Sequence, residues 1–127
     1  MLYIKTTAKT VERASDDLER SIARNGFGLL HSYDFRKTLG DKGFPIDNEC
    51  RVLEVCNPRQ ASEVLAADMS LNMALPCRIS VYQDGGRTLI GMVPPTDMLG
   101  LVSQDPAIAT TAMAVERTLR KIIDEAA

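Results

Sequence analysis

The most reactive side chains of the sequence lie on either side of one apolar-periodic stretch. Cys56-Asn57-Pro58 precedes this stretch, and Pro76-Cys77 follows it. The positive partial charge at the start of a helix favours an ionised thiol, and a thiolate can be oxidised or can bind metal. The pattern therefore indicates a ligand-binding or redox site that is formed by Cys56, Asn57, Pro76 and Cys77.

Other interpretations of the same residues stay open. Free cysteine is among the most buried residue types, so Cys56 and Cys77 could simply fill tight apolar space. A nucleophilic cysteine needs a base, and His31 is the single histidine of the chain. A zinc site needs about four donors, and no closely spaced cysteine pair supplies them. We predict no catalytic residue and no metal site, and the sequence leaves enzymatic activity and cofactors undefined.

The elements around these residues decide whether the two thiols meet. Asn57 is predicted to cap a helix that Pro58 begins. The apolar residues from Arg51 to Cys56 indicate a strand before the helix, and the alternation that starts at Cys77 indicates another strand after it. Neighbouring antiparallel strands would place both cysteines at one edge, whereas parallel strands would separate them by about 20 Å.

The rest of the chain predicts further strands and helices. Alternation from Leu2 to Thr7 and from Phe27 to Phe35 indicates two strands, and the glycines after Asp84 indicate a hairpin. Three more helices are predicted, with the N-caps Thr10, Asp34 and Asp105. Four methionines in the second half are expected in the interior, or lining a pocket between sheet and long helix: Met69, Met73, Met92 and Met98.

Composition limits the class of protein. The chain has 127 residues, of which 45% are hydrophobic and 25% charged, which predicts one domain over residues 1–127. A net charge of −2 gives no reason to expect a nucleic-acid partner. Neither a signal peptide nor an apolar run of membrane-spanning length is recognised. We therefore expect a cytoplasmic protein without membrane contact, in which the three cysteines are reduced.

Three short motifs resemble the domain of unknown function family 302, and the resemblance covers nearly the whole chain. They are Gly26-Phe27-Gly28, Cys56-Asn57-Pro58 and Leu75-Pro76-Cys77, the last followed by a strand with an Asp-Gly turn. The resemblance implies an α+β fold with a mainly antiparallel five-stranded sheet covered by helices, similar to the TATA-binding-protein-like arrangement. The implied order is β-α-β-(short α)-β-α-β-β-α. It also implies a homodimer and favours the antiparallel placement of the two cysteines.

Three classes of function fit these observations. The first is a domain that binds a small apolar ligand or a protein partner through the sheet edge at Cys56-Asn57-Pro58 and Pro76-Cys77. The second is a thiol-dependent redox or sensor protein that uses Cys56 and Cys77. The third is a structural dimer module. We favour the first class and keep the thiol-dependent protein as the alternative.

Overall fold

The computed structural model describes residues 1–127 and contains the predicted strands and helices in the predicted order. The strands are β1 (Tyr3–Thr7), β2 (Gly28–Asp34), β3 (Cys50–Cys56), β4 (Cys77–Asp84) and β5 (Arg87–Met92). The α-helices are α1 (Val11–Arg24), α2 (Phe35–Asp41), α3 (Pro58–Ala67), α4 (Pro95–Gly100) and α5 (Pro106–Ala126). A 3₁₀ helix, Met69–Ala74, joins α3 to β4.

The five strands form one antiparallel sheet in the order β1-β5-β4-β3-β2. The predicted α+β fold with a five-stranded antiparallel sheet is therefore confirmed. Helices α1 and α5 pack against one face of the sheet. At the β1–β5 edge the opposite face is uncovered, because Leu2, Ile4 and Val93 are 59%, 42% and 47% exposed there. No helix has both the length and the apolar character needed to span a membrane.

The buried apolar residues fall into two clusters, and α5 contributes to both. The first cluster lies between the sheet and helices α1 and α5, and it includes Leu119 and Ile122 from the second half of α5. The second cluster lies beyond the end of the sheet and consists of Val64, Leu71, Ala74, Leu99, Ile108 and Ala112. The space between the two clusters is closed only partly, and the candidate site lies there.

Local hydrogen bonds confirm the predicted helix starts. The side chains of Thr10, Asp34 and Asp105 each accept from a backbone N–H group of the first turn, over 2.9 to 3.1 Å. The hairpin between β4 and β5 is also confirmed. Its two glycines, Gly85 and Gly86, have φ angles of 58° and 78°, which side chains disfavour.

Two expectations about the second half are wrong. Met69 and Met73 are not interior residues, because they are 67% and 74% exposed. They belong to the 3₁₀ helix, where residues three apart share a side, and Leu71 and Ala74 take the buried side. The apolar residues Met98, Leu99 and Leu101 also predict a helical turn under the sheet. This turn is α4, which packs on the second cluster beyond the end of the sheet.

Candidate functional site

The antiparallel register brings the two predicted thiols to the same end of the sheet. Strand β3 pairs with β4 so that Val55 lies opposite Cys77. Cys56 is the next residue of β3 and also the last, so it lies beside the start of β4. Of the two topologies that the sequence left open, the structure has the antiparallel one.

The intervening segment takes the chain away from this end of the sheet and returns it. Pro58 is the first residue of α3, and the Asn57 side-chain oxygen accepts from the Gln60 N–H group over 3.1 Å. Asn57 is therefore the N-cap that the sequence predicts. The 3₁₀ helix follows α3, and the chain enters β4 through Pro76. Because α3 begins two residues after the last residue of β3, its first turn lies at this end of the sheet.

All four predicted site residues line one cavity of about 240 Å³. Its walls come from both apolar clusters: Phe27, Val55 and Val115 belong to the first, and Val64 and Leu99 belong to the second. Ten of the fourteen lining residues are hydrophobic, and none of the fourteen is charged. The cavity is therefore suited to uncharged apolar groups.

Three carboxamides supply most of the polarity of the cavity: Asn57, Gln60 and Asn72. The Asn57 oxygen is occupied by the helix cap, whereas its NH₂ group makes no hydrogen bond within the protein. Asn72 donates its NH₂ group to the Met69 carbonyl, which leaves its oxygen without a donor. The Gln60 side chain makes no hydrogen bond within the protein. These amides can therefore donate to or accept from a bound molecule.

The ionisation of the Cys77 thiol differs from the expectation based on the sequence, which is a thiolate beside the start of a helix. Burial raises the pKa of the Cys77 thiol to about 11, and the nearby Cys56 adds to the increase. The reason is its position: Cys77 begins a strand and packs against the first apolar cluster, where loss of hydration disfavours the charged form. All three cysteines are free thiols.

His31 does not line the cavity. It is an exposed residue of the edge strand β2, and its ring contacts Tyr33 edge to face with the ring centres 4.4 Å apart. No three histidine, cysteine or acidic side chains of the protein are grouped so that they could hold a metal ion.

Sequence reasoning missed several residues of the cavity. Gln60 is not among the predicted site residues, although its spacing of four from Val64 places both on one side of α3. Leu99 and Val115 come from α4 and α5, more than twenty positions after Cys77. No local pattern marks them, because their place in the cavity depends on how α5 crosses from one apolar cluster to the other.

Comparisons with known proteins agree with this architecture. The family model described as "Domain of unknown function DUF302" matches residues 3–126. The crystal structure of an uncharacterized conserved protein DUF302 from Bacillus stearothermophilus superimposes with a TM-score of 0.94 at 32% sequence identity. The match covers 99% of this chain and 98% of that one. No curated protein matches the chain. The chain therefore belongs to the DUF302 family of domains of unknown function.

Proposed function

We propose that the protein binds a small ligand whose uncharged apolar part fills the cavity between the two apolar clusters. The observation that carries this proposal is the lining itself. Hydrophobic residues make up ten of the fourteen positions, carboxamides with unused hydrogen-bonding groups supply the polarity, and charge is absent. Small-molecule sites combine a mostly apolar wall with a few polar groups in this way. Cys56, Asn57, Pro76 and Cys77 are then ligand-contacting residues.

The volume of the cavity limits the size of the group that it can hold. An apolar protein cavity of about 150 Å³ takes up one benzene molecule. In proportion, a cavity of about 240 Å³ accommodates ~10 non-hydrogen atoms. A bicyclic aromatic molecule or a medium-length alkyl chain fits this limit.

A fluorescence titration with 1-naphthol tests the proposal. The probe is neutral, has the required size and carries one hydroxyl group for the carboxamides. The protein contains no tryptophan, so its own emission interferes little. Ala61 lines the cavity from α3, and Ala61→Phe places a ring inside it. Ala66, an exposed residue of the same helix, provides the matched control Ala66→Phe.

We expect saturable binding of 1-naphthol by the wild-type protein and by Ala66→Phe, and loss of binding by Ala61→Phe. Circular dichroism of both variants checks that they are folded. Absence of saturable binding by the wild-type protein would contradict the proposal. Equal binding by folded Ala61→Phe would do so as well, because the probe would then occupy another place.

The thiol-dependent redox or sensor protein is the second candidate. Its support is the common position of Cys56 and Cys77 at one end of the sheet. The raised pKa of Cys77 argues against it, because the thiolate is the reactive form. Alkylation of the folded protein at neutral pH decides between the two candidates. Rapid modification of both cysteines would favour the redox protein, and protection of Cys77 favours the ligand-binding protein.

We also propose that the protein forms a homodimer through the uncovered part of the sheet, centred on Leu2, Ile4 and Val93. Their exposed apolar surface supports this proposal, because such surface is favourably buried between subunits. Sedimentation of wild-type protein should show a dimer, and Ile4→Glu should sediment as a monomer. Leu101→Glu is the control, since Leu101 is 82% exposed elsewhere. A monomeric wild-type protein would contradict this proposal. A cytoplasmic location stays a prediction.

A further inference from the structure

A second cavity, of about 300 Å³, adjoins the first. Pro76, Cys77 and Leu99 line both cavities, so these three residues form their shared boundary. The second cavity occupies the gap between the start of β4 and the end of β5. Its apolar wall includes Val93 after β5 and Leu119 from α5. The two cavities therefore meet at the start of β4.

One positively charged residue lines the second cavity, and no acidic residue lines either cavity. This cation is Arg78, an exposed residue of β4. Its guanidinium group takes part in no ion pair or hydrogen bond within the protein. The residue opposite it on β3, Glu54, instead accepts from the Tyr33 hydroxyl over 2.7 Å. The hydroxyl of Ser80, which also lines this cavity, makes no hydrogen bond.

We propose that the ligand is an elongated amphipathic carboxylate, and this inference rests on the proposed function of the first cavity. Its alkyl chain extends from the first cavity past Leu99, and its carboxylate binds Arg78 and Ser80 at the second. A guanidinium group presents a planar set of donors that matches a carboxylate. A phosphate monoester has the same oxygen geometry but carries nearly two charges, and Arg78 supplies only one compensating charge.

Calorimetric titration with three ligands of ten carbon atoms each tests the inference: decanoate, 1-decanol and decyl phosphate, each below its micellar concentration. The variant is Arg78→Gln, which keeps length and polarity but removes the charge. Arg87→Gln is the matched control, because Arg87 is an exposed arginine of the same hairpin that lines neither cavity. Urea unfolding of both variants checks that they are folded.

We expect the wild-type protein to bind decanoate about tenfold or more tightly than 1-decanol and more tightly than decyl phosphate. Arg78→Gln should lower decanoate affinity about tenfold and leave 1-decanol affinity unchanged, and Arg87→Gln should change neither. Equal affinity for decanoate and 1-decanol, or an unchanged affinity in Arg78→Gln, would overturn the assignment of the carboxylate. Tighter binding of decyl phosphate would replace the carboxylate by a phosphate.

The result also separates this inference from the proposed function. If 1-naphthol binds and Ala61→Phe abolishes its binding, the first cavity is a ligand site whatever decanoate does. If 1-naphthol does not bind but decanoate binds in an Arg78-dependent way, the proposed role of the first cavity fails and an anion site at Arg78 remains. If neither probe binds, both proposals fail.

Discussion

Replacement of Asn57 by alanine should destabilise the protein through loss of one helix cap. In the structure the Asn57 oxygen accepts from the Gln60 N–H group over 3.1 Å, in the first turn of α3. Alanine cannot accept this bond, so the N–H group of Gln60 loses its partner. Helix α3 supplies Val64 to the second apolar cluster, which couples the cap to the packing of the whole region.

The expected loss in unfolding free energy is about 1 kcal/mol, within the range of about 0.5 to 2 kcal/mol for such caps. The middle of that range applies because Gln60 is only partly buried, so water replaces part of the lost bond. With a urea dependence of about 2 kcal/mol per molar, the unfolding midpoint falls by about 0.5 M. The melting temperature falls by about 4 °C.

Urea unfolding followed by circular dichroism measures this effect, and Asn57→Asp is the matched control. Aspartate caps helices about as well as asparagine, so its unfolding midpoint should stay close to that of the wild-type protein. It also places a carboxylate in a cavity without charged side chains, so 1-naphthol binding should weaken. The two substitutions thus separate the capping role of Asn57 from its contact with ligand.

An unchanged midpoint for Asn57→Ala would refute the reasoning, because the cap would then contribute nothing to stability. Equal destabilisation by Asn57→Asp would also contradict it. In that case the loss would follow from the packing of the carboxamide and not from its hydrogen bond to the helix.

Three further predictions concern a thiol, a glycine and an ion-pair network. Burial raises the pKa of Cys77 to about 11, so iodoacetamide at pH 8 should modify Cys77 far more slowly in folded than in urea-unfolded protein. Equal modification rates in the folded and unfolded protein would contradict this. Gly91→Ala should lower the unfolding free energy measured in urea by about 1–3 kcal/mol, because the added Cβ would lie 3.0 Å from the Ile4 side chain of β1. Gly100→Ala is the control and should change it little, because the space around Gly100 is open. Hydrogen bonds from Lys9, and next from Arg20, hold the pKa of Asp17 below its usual range. Asp17→Asn should therefore lower the unfolding free energy at pH 7, and the difference from the wild-type protein should disappear as the pH falls below about 4. A pH-independent difference between the two proteins would refute this.

The sequence by itself determined the features that depend on near neighbours in the chain. The N-caps Thr10, Asn57 and Asp105 were recognisable because a side-chain oxygen bonds to N–H groups two or three residues later. The turn at Gly85-Gly86 was recognisable because its φ angles are open to glycine. Alternation of apolar residues identified the strands, and the family resemblance supplied the antiparallel sheet.

Tertiary structure alone decided how the site is completed. The pairing of Val55 with Cys77 brings the two thiols to one end of the sheet, and no local pattern specifies that register. Burial then reverses the expected ionisation of Cys77, because hydration is lost to residues distant in the chain. The cavity is the space left where two apolar clusters do not meet, and Leu99 enters it from another helix. Such space depends on the packing of whole elements, so residues read one stretch at a time could not reveal it.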